Sequence, residues 1–283
     1  MMNTDQACAE AARELKGAQA IVIGASNGLS ISEGFNLFAD DEWFCENFGD
    51  FRARFGIHSV LEGASYPFPT DEEYWGFWSR LINLKTYGDP VSAAMRTLSS
   101  IVGDRPCSIV TTNAEGHFQL AGFDPTRLFE MEGSFTELDC SAGCGAAPVS
   151  SERAVHEMAA REEGCRVPNK YHPKCERCGA PMRVNMADGN SFFKTAEWTG
   201  KLAAFKDFLA THVNDRSVIL ELGVGMRNPL VTGALVEAKQ TLRDASVIVM
   251  NKGGGTGLRP DGALCIDDDI TRALQEIEQG MKR

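Results

Sequence analysis

The chain has 283 residues, a formal net charge of −11 and 43% hydrophobic residues, enough apolar material for one large domain or a large domain carrying an inserted lobe. The acidic balance argues against a nucleic-acid partner, whose phosphate backbone demands a basic footprint, and no apolar run approaches the roughly 18 to 20 residues of a membrane span. Nine cysteines are an odd number, and the start Met1-Met2-Asn3-Thr4-Asp5-Gln6 lacks a secretory pattern. A cytoplasmic protein without a disulfide framework is therefore expected.

In chain order, the first predicted strand is Ala20-Ile21-Val22-Ile23, breaking into the small-residue loop Gly24-Ala25-Ser26-Asn27-Gly28. An aromatic-rich stretch follows over 35–85, with Trp43, Phe44, Phe48, Phe51, Phe55, Tyr74, Trp75, Phe77 and Trp78 interrupted by Pro67 and Pro69. Val91, Ala94, Met95, Leu98, Ile101 and Val102 then fall on one helical face. A second strand, Cys107-Ser108-Ile109-Val110, runs into Thr111-Thr112-Asn113-Ala114-Glu115, and Leu128-Phe129-Glu130-Met131 is a short third. Beyond the cysteine-bearing stretch 138–195, Trp198, Leu202, Phe205 and Leu209 mark another helix. Ser217-Val218-Ile219-Leu220 ends at Gly223-Val224-Gly225, and Asn228-Pro229 reads as cap and first residue of a helix over 230–239. Ala245-Ser246-Val247-Ile248-Val249-Met250 ends at Asn251-Lys252-Gly253, and Ile270, Ala273, Leu274 and Ile277 form a last amphipathic helix.

Continuous apolar strands with polar or glycine-rich carboxyl ends predict a buried parallel sheet whose loops bind a ligand. The alternation with helices predicts an open α/β domain. The segments 35–85 and 138–195 interrupt that alternation and are expected to pack together as a second lobe.

Cys140-x3-Cys144 and Cys175-x2-Cys178 have metal-ligand spacing. A tight turn presents both sulfurs of a pair to one ion, and two such turns complete a tetrahedron. Thiolate suits zinc, and four protein ligands make the site structural. His172 is an alternative to one of the four. A redox-active pair is the competing reading of Cys175 and Cys178, without a thioredoxin-like context around them. Between 166 and 183, Arg166, Lys170, Lys174, Arg177 and Arg183 face one acid, Glu176, which reads as a solvated face or a docking patch for an acidic partner.

The succession of Gly28-Leu29-Ser30, Gly34, Phe38, Thr112-Asn113-Ala114-Glu115-Gly116, Ala121-Gly122, Glu130-x-x-Gly133-Ser134, the cysteine pairs, Gly223-x-Gly225 and Met250-Asn251 resembles the sirtuins, NAD-dependent deacylases and ADP-ribosyltransferases. The resemblance implies a Rossmann-like parallel-sheet domain (1–34, 86–137 and 196–283) with a small lobe made of a helical insertion (35–85) and a zinc-binding module (138–195), and NAD in the cleft between them. It matches Gly28 and Ser30 to the phosphate loop and counts Ala25, Ser26, Gly34 and Phe38 among the cofactor-binding residues. Thr112, Asn113 and Glu115 fall at the nicotinamide-ribose end, Gly223, Val224, Gly225 and Asn251 at the adenosine end, and Ile266 near adenine.

Three positions depart from most sirtuins. Glu132 stands where histidine is usual, Thr112 where glutamine precedes the asparagine, and Ala39 where arginine follows the phenylalanine. The chain is closer to the class M, macrodomain-linked sirtuins, which lack the histidine and transfer ADP-ribose to a lipoyl-carrier protein, although their usual replacement is glutamine. The implied catalytic residues are Asn113, Glu132 and Glu115, and the implied activity is NAD-dependent ADP-ribosyl transfer to an acceptor protein, with an acidic lipoyl-carrier domain as acceptor and a macrodomain hydrolase as functional partner. An NAD-dependent lysine deacylase, an NAD hydrolase and a non-catalytic zinc and nucleotide module are the competing expectations.

Overall fold

The computed structural model describes residues 3–187, 195–226, 228–253, 258 and 260–283. Its strands in chain order are β1 (Ala20–Ala25), β2 (Cys107–Thr111), β3 (Leu128–Glu130), β4 (Gly133–Cys140), β5 (Val149–Ser150), β6 (Met182–Met186), β7 (Arg216–Leu222), β8 (Asp244–Met250) and β9 (Leu264–Ile266). The helices are α1 (Thr4–Gly17), α2 (Asn27–Ser32), α3 (Glu42–Phe55), α4 (Val60–Ala64), α5 (Asp71–Ile82), α6 (Ala93–Val102), α7 (His117–Leu120), α8 (Glu152–Ala159), α9 (Ala196–Thr211), α10 (Pro229–Thr241) and α11 (Ile270–Lys282). Among the described residues no helix is long and apolar enough to cross a membrane.

Six strands form a parallel sheet in the order β3-β2-β1-β7-β8-β9. Alternation along each strand sorts its side chains to opposite faces. Ile21, Ile23 and Ala25 join α1, α6 and α11 in one core, while Ala20 and Val22 join α9 and α10 in another. Helices therefore cover both faces, as the unbroken apolar runs of β1 and β8 require. The five expected strands are all present, and β9 adds an edge too short to stand out in the sequence. Chain order reverses between β1 and β7, the point at the carboxyl edge of an open parallel sheet where a ligand crevice forms.

A second sheet of three antiparallel strands has the order β5-β4-β6. It shares a core with α3, α5 and α8, filled by Phe44, Phe48, Phe51, Trp75, Phe77 and Trp78. Their rings stack or meet edge to face, with Phe44 and Phe48 centroids 5.6 Å apart and those of Phe51 and Phe77 also 5.6 Å apart. β4 (Gly133–Cys140) runs across the boundary expected at 138. It pairs with β6 from Gly133 to Cys140, with a register shift between Ser134 and Leu138, so one strand links the two expected units. The π-helical turn Asn83–Gly88 holds Lys85, whose buried ammonium pairs with Asp89 and lies 4.9 and 5.0 Å over the Phe35 and Trp43 rings.

Candidate active site at the carboxyl edge of the parallel sheet

The loops after β1, β2 and β7 interlock at the point where the strand order reverses. A Cβ on Gly28 would lie 2.5 Å from Gly223 Cα, and the Gly28 amide donates to the Gly223 carbonyl at 3.0 Å. Gly28 is thus needed for a backbone-to-backbone approach between two loops, and Gly223 also takes φ +64°. Ser26 Oγ and Thr112 Oγ1 are 3.1 Å apart, and Asn228 Nδ2 donates to both, at 2.9 and 2.8 Å. The Asn228 carbonyl oxygen caps α10 by accepting from Val231 N at 3.1 Å. The residue expected only as a cap therefore also joins the three loops.

Deeper in, α2 brings Ser30 against the end of β2. Asn113 Nδ2 donates to Ser30 Oγ at 2.9 Å, and that hydroxyl donates to Glu115. All three side chains are buried. Asn113 Oδ1 is buried with no hydrogen-bond partner, an acceptor that a bound donor would satisfy. Val224 and Gly225 follow Gly223 at the rim, where Asn251 Nδ2 donates to the Val224 carbonyl at 3.0 Å. Gly34 closes α2 at φ +89°, and Phe38 lies 53% exposed. Ile266 is enclosed in the core with Met250 and Ile270.

His117 is half-buried in a charged pocket. Its Nδ1 lies 3.2 Å from Glu33 Oε2 and its Nε2 3.2 Å from the Lys85 carbonyl. Both ring nitrogens face acceptors, as an imidazolium requires. Burial pulls its pKa down, but the Glu33 hydrogen bond and the charges of Glu115 and Glu33 outweigh burial and raise it to about 9.

Two carboxyls sit at the β3–β4 junction. Glu132 is in the turn, half-buried, and burial raises its pKa; its carbonyl accepts from Ala187 N at 2.9 Å. Glu130 is 6% exposed and accepts from Ser134 Oγ and Gln119 Nε2, each at 3.0 Å. Burial raises its pKa to about 8, against the opposing pull of Lys201 and the Ser134 hydroxyl. Glu130 lines a cavity of about 720 Å³ bounded by β4, the 143–148 loop and the start of α9. The run Glu130-x-x-Gly133-Ser134 is legible in the sequence but a role for Glu130 is not, because the chemistry of a carboxyl at the end of an apolar strand depends on which cavity that end meets.

At the far end of β4 the four cysteines converge. Cys140 Sγ lies 3.5 Å from Cys178 Sγ, Cys144 Sγ lies 3.6 Å from Cys175 Sγ, and all four sulfurs fall within 4.8 Å of one another. Zinc–sulfur bonds of about 2.3 Å imply tetrahedral sulfur–sulfur edges of about 3.8 Å. The donor set and spacing therefore fit a closed zinc site. Amide donors from Cys144 and Ala142 hold the Cys140 thiol down to about 6. His172 lies outside this cluster, its Nε2 2.8 Å from the Val167 carbonyl.

A protein ADP-ribosyltransferase of Staphylococcus aureus is 33% identical to this chain over 213 residues, covering 75% of the chain and 67% of the relative. The architecture matches a Sir2 homologue solved with NAD, at TM-score 0.62 and 16% identity over 96% of this chain and 93% of the other. The chain belongs to the family of that protein ADP-ribosyltransferase and has the fold of the Sir2 enzymes. A "Probable bifunctional ADP-ribose hydrolase/ADP-ribosyltransferase" of Fusarium oxysporum f. sp. cubense is 27% identical over 290 positions, covering 96% of the chain and 48% of that relative. The chain thus spans about two thirds of one relative's length and about half of the other's. A second Sir2 structure, solved with a propionylated peptide, aligns at TM-score 0.59 and 14% identity over 96% of this chain and 98% of its own. No protein-family model matches the chain.

Proposed function

We propose that this protein is a sirtuin-type, NAD-dependent protein ADP-ribosyltransferase that releases nicotinamide and modifies an acceptor protein. The observation that carries this reading is the partnerless, buried Asn113 Oδ1 at the crevice, in a chain that is 33% identical to a relative named as a protein ADP-ribosyltransferase. The crevice residues fit a dinucleotide. Gly28 and Gly223 hold the loops together, Asn228 ties Ser26 to Thr112, and Asn113 offers an acceptor toward the amide or ribose end. Bound NAD supplies an activated bond between ribose and nicotinamide.

The protein's part is to orient and to stabilise charge. Ser30 and Glu115 fix the Asn113 rotamer from behind. Glu132, in the turn beyond β3, supplies a carboxylate for the positive charge that develops on the ribose, where exclusion of water strengthens the effect. Deacylation asks for a base that activates a ribose hydroxyl. With glutamate in place of the family's histidine, transfer is favoured over that route.

The acceptor we propose is an acidic carrier domain, of which a lipoyl carrier is one kind. Lys170, Lys174 and Arg177 are exposed and offer a basic face, whereas Arg166 and Arg183 are engaged with Glu73 and Asp71. The paired hydrolase and transferase activities in the name of the Fusarium relative support a macrodomain-type hydrolase as functional partner, and with it the class M assignment.

Incubating the protein with adenylate-labelled NAD, an acylated peptide and a lysate tests the reading. Label fixed on protein with release of nicotinamide is expected. Acyl-ADP-ribose as the labelled product would instead establish a deacylase, free ADP-ribose alone a hydrolase, and NAD-dependent thermal stabilisation without turnover a binding module.

A further inference from the structure

Behind the Asn113 crevice lies a pocket of about 10 Å³, lined by Asn113, Glu115 and His117 among others, with room for one water-sized group. On the other side is the cavity of about 720 Å³, lined by Ser134, Glu137, Trp198 and Lys201 among others. Among the described residues, Glu130 is the one that lines both. It ends β3, in register with Thr111 at the end of β2, so the sheet itself fixes where the carboxyl stands.

We propose that Glu130 is the proton acceptor for the nucleophile that enters through the larger cavity. This deepens the transferase reading and rests on it. The acceptor group X–H arrives from the cavity side. Its lone pair forms a bond to the ribose carbon, and the bond from that carbon to nicotinamide breaks, its electron pair leaving with nicotinamide. The proton on X passes to the Glu130 carboxylate and from there to solvent through the cavity. No oxidant or reductant is needed.

The carboxyl is built for this task. Gln119 Nε2 donates to one oxygen and Ser134 Oγ to the other, each at 3.0 Å, so the plane of the carboxyl is fixed by two donors. The charged groups around it are Lys201 on α9, Glu137 on β4 and Glu115 after β2, with Asp139 and Glu197 across the larger cavity and Glu33 and His117 across the small pocket. Burial outweighs Lys201 and leaves the pKa at about 8. Both protonation states are then populated near neutral pH, which suits a group that alternates between them.

Two nucleophiles separate a proton acceptor from a structural residue. Methanol must lose a proton on attacking NAD; azide need not. Glu130→Gln is expected to slow methanol-dependent nicotinamide release by about 100-fold and to retain azide-dependent release within about twofold. The wild-type rate with methanol should rise through an apparent pKa of about 8, and with azide that limb should be absent. Equal slowing with both nucleophiles, or with neither, overturns the proposal.

A ligand-free readout stands beside these rates. The infrared difference between wild type and Glu130→Gln should contain a carboxylic-acid band at pH 6 that titrates away near pH 8. Should Glu130→Gln not fold, Ser134→Ala serves instead. It removes a hydrogen bond that favours the ionised form, so the titration should move to higher pH, and an unmoved titration contradicts the proposal. If wild type releases no nicotinamide with either nucleophile, the transferase reading falls. The infrared band then decides Glu130 alone, its absence at pH 6 overturning the assignment.

Discussion

At the residue scale, the crevice concentrates buried polar groups that the sheet alone does not need. Asn113→Ala removes the partnerless acceptor together with the donor to Ser30. One lost buried hydrogen bond is worth about 1–3 kcal/mol, so NAD affinity measured by calorimetry should fall about tenfold to a hundredfold. Gly28→Ala should be worse for the fold than for chemistry alone, because its Cβ meets Gly223 backbone at 2.5 Å. A melting temperature lowered together with NAD affinity is expected. His117 contributes stability that is fully present below about pH 6.5 and is lost as pH rises through its folded pKa of about 9. The excess stability of wild type over His117→Gln, followed by urea melts, should therefore shrink between those values. Asn113 and Glu115 could be picked from the polar run after β2. The pairing of His117 with Glu33 could not, since it depends on α2 and α7 meeting across the pocket.

At the scale of elements, the parallel sheet was legible because period-2 burial on both faces leaves unbroken apolar runs ending in small or polar residues. β4, β5 and β6 were not legible. They are short or carry polar residues such as Glu137, Asp139 and Arg183, and their pairing is fixed by the cysteine cluster and the aromatic core rather than by local pattern. Zinc at that cluster should act through this sheet. Chelation, or Cys175→Ser, is expected to strip the metal, lower the melting temperature and expose Trp75 and Trp78 to quencher, as zinc ligation supplies folding free energy. Zinc-dependent stability that persists in Cys175→Ser would contradict the four-thiolate assignment. In the same core Phe48→Ala should cost about 3–5 kcal/mol by chemical denaturation, since Phe48 is fully buried among Phe44, Phe51 and Phe77.

At the scale of the molecule, Lys170, Lys174 and Arg177 are exposed in a chain of net charge −11, and the acceptor is proposed to meet them there. Charge reversal at Lys170 and Lys174 should weaken transfer at low salt and matter less as salt screens the encounter. Equal rates for variant and wild type at low ionic strength would remove that face from the picture. The larger unity is the crevice itself, closed on one side by loops of the parallel sheet and approached on the other by β4 from the cysteine cluster. Titration calorimetry with NAD tests it most directly, on zinc-loaded wild type beside Asn113→Ala. Saturable 1:1 binding to wild type, weakened at least tenfold in the variant, is expected; no heat with wild type, or identical isotherms for the two proteins, would contradict a dinucleotide held at Asn113.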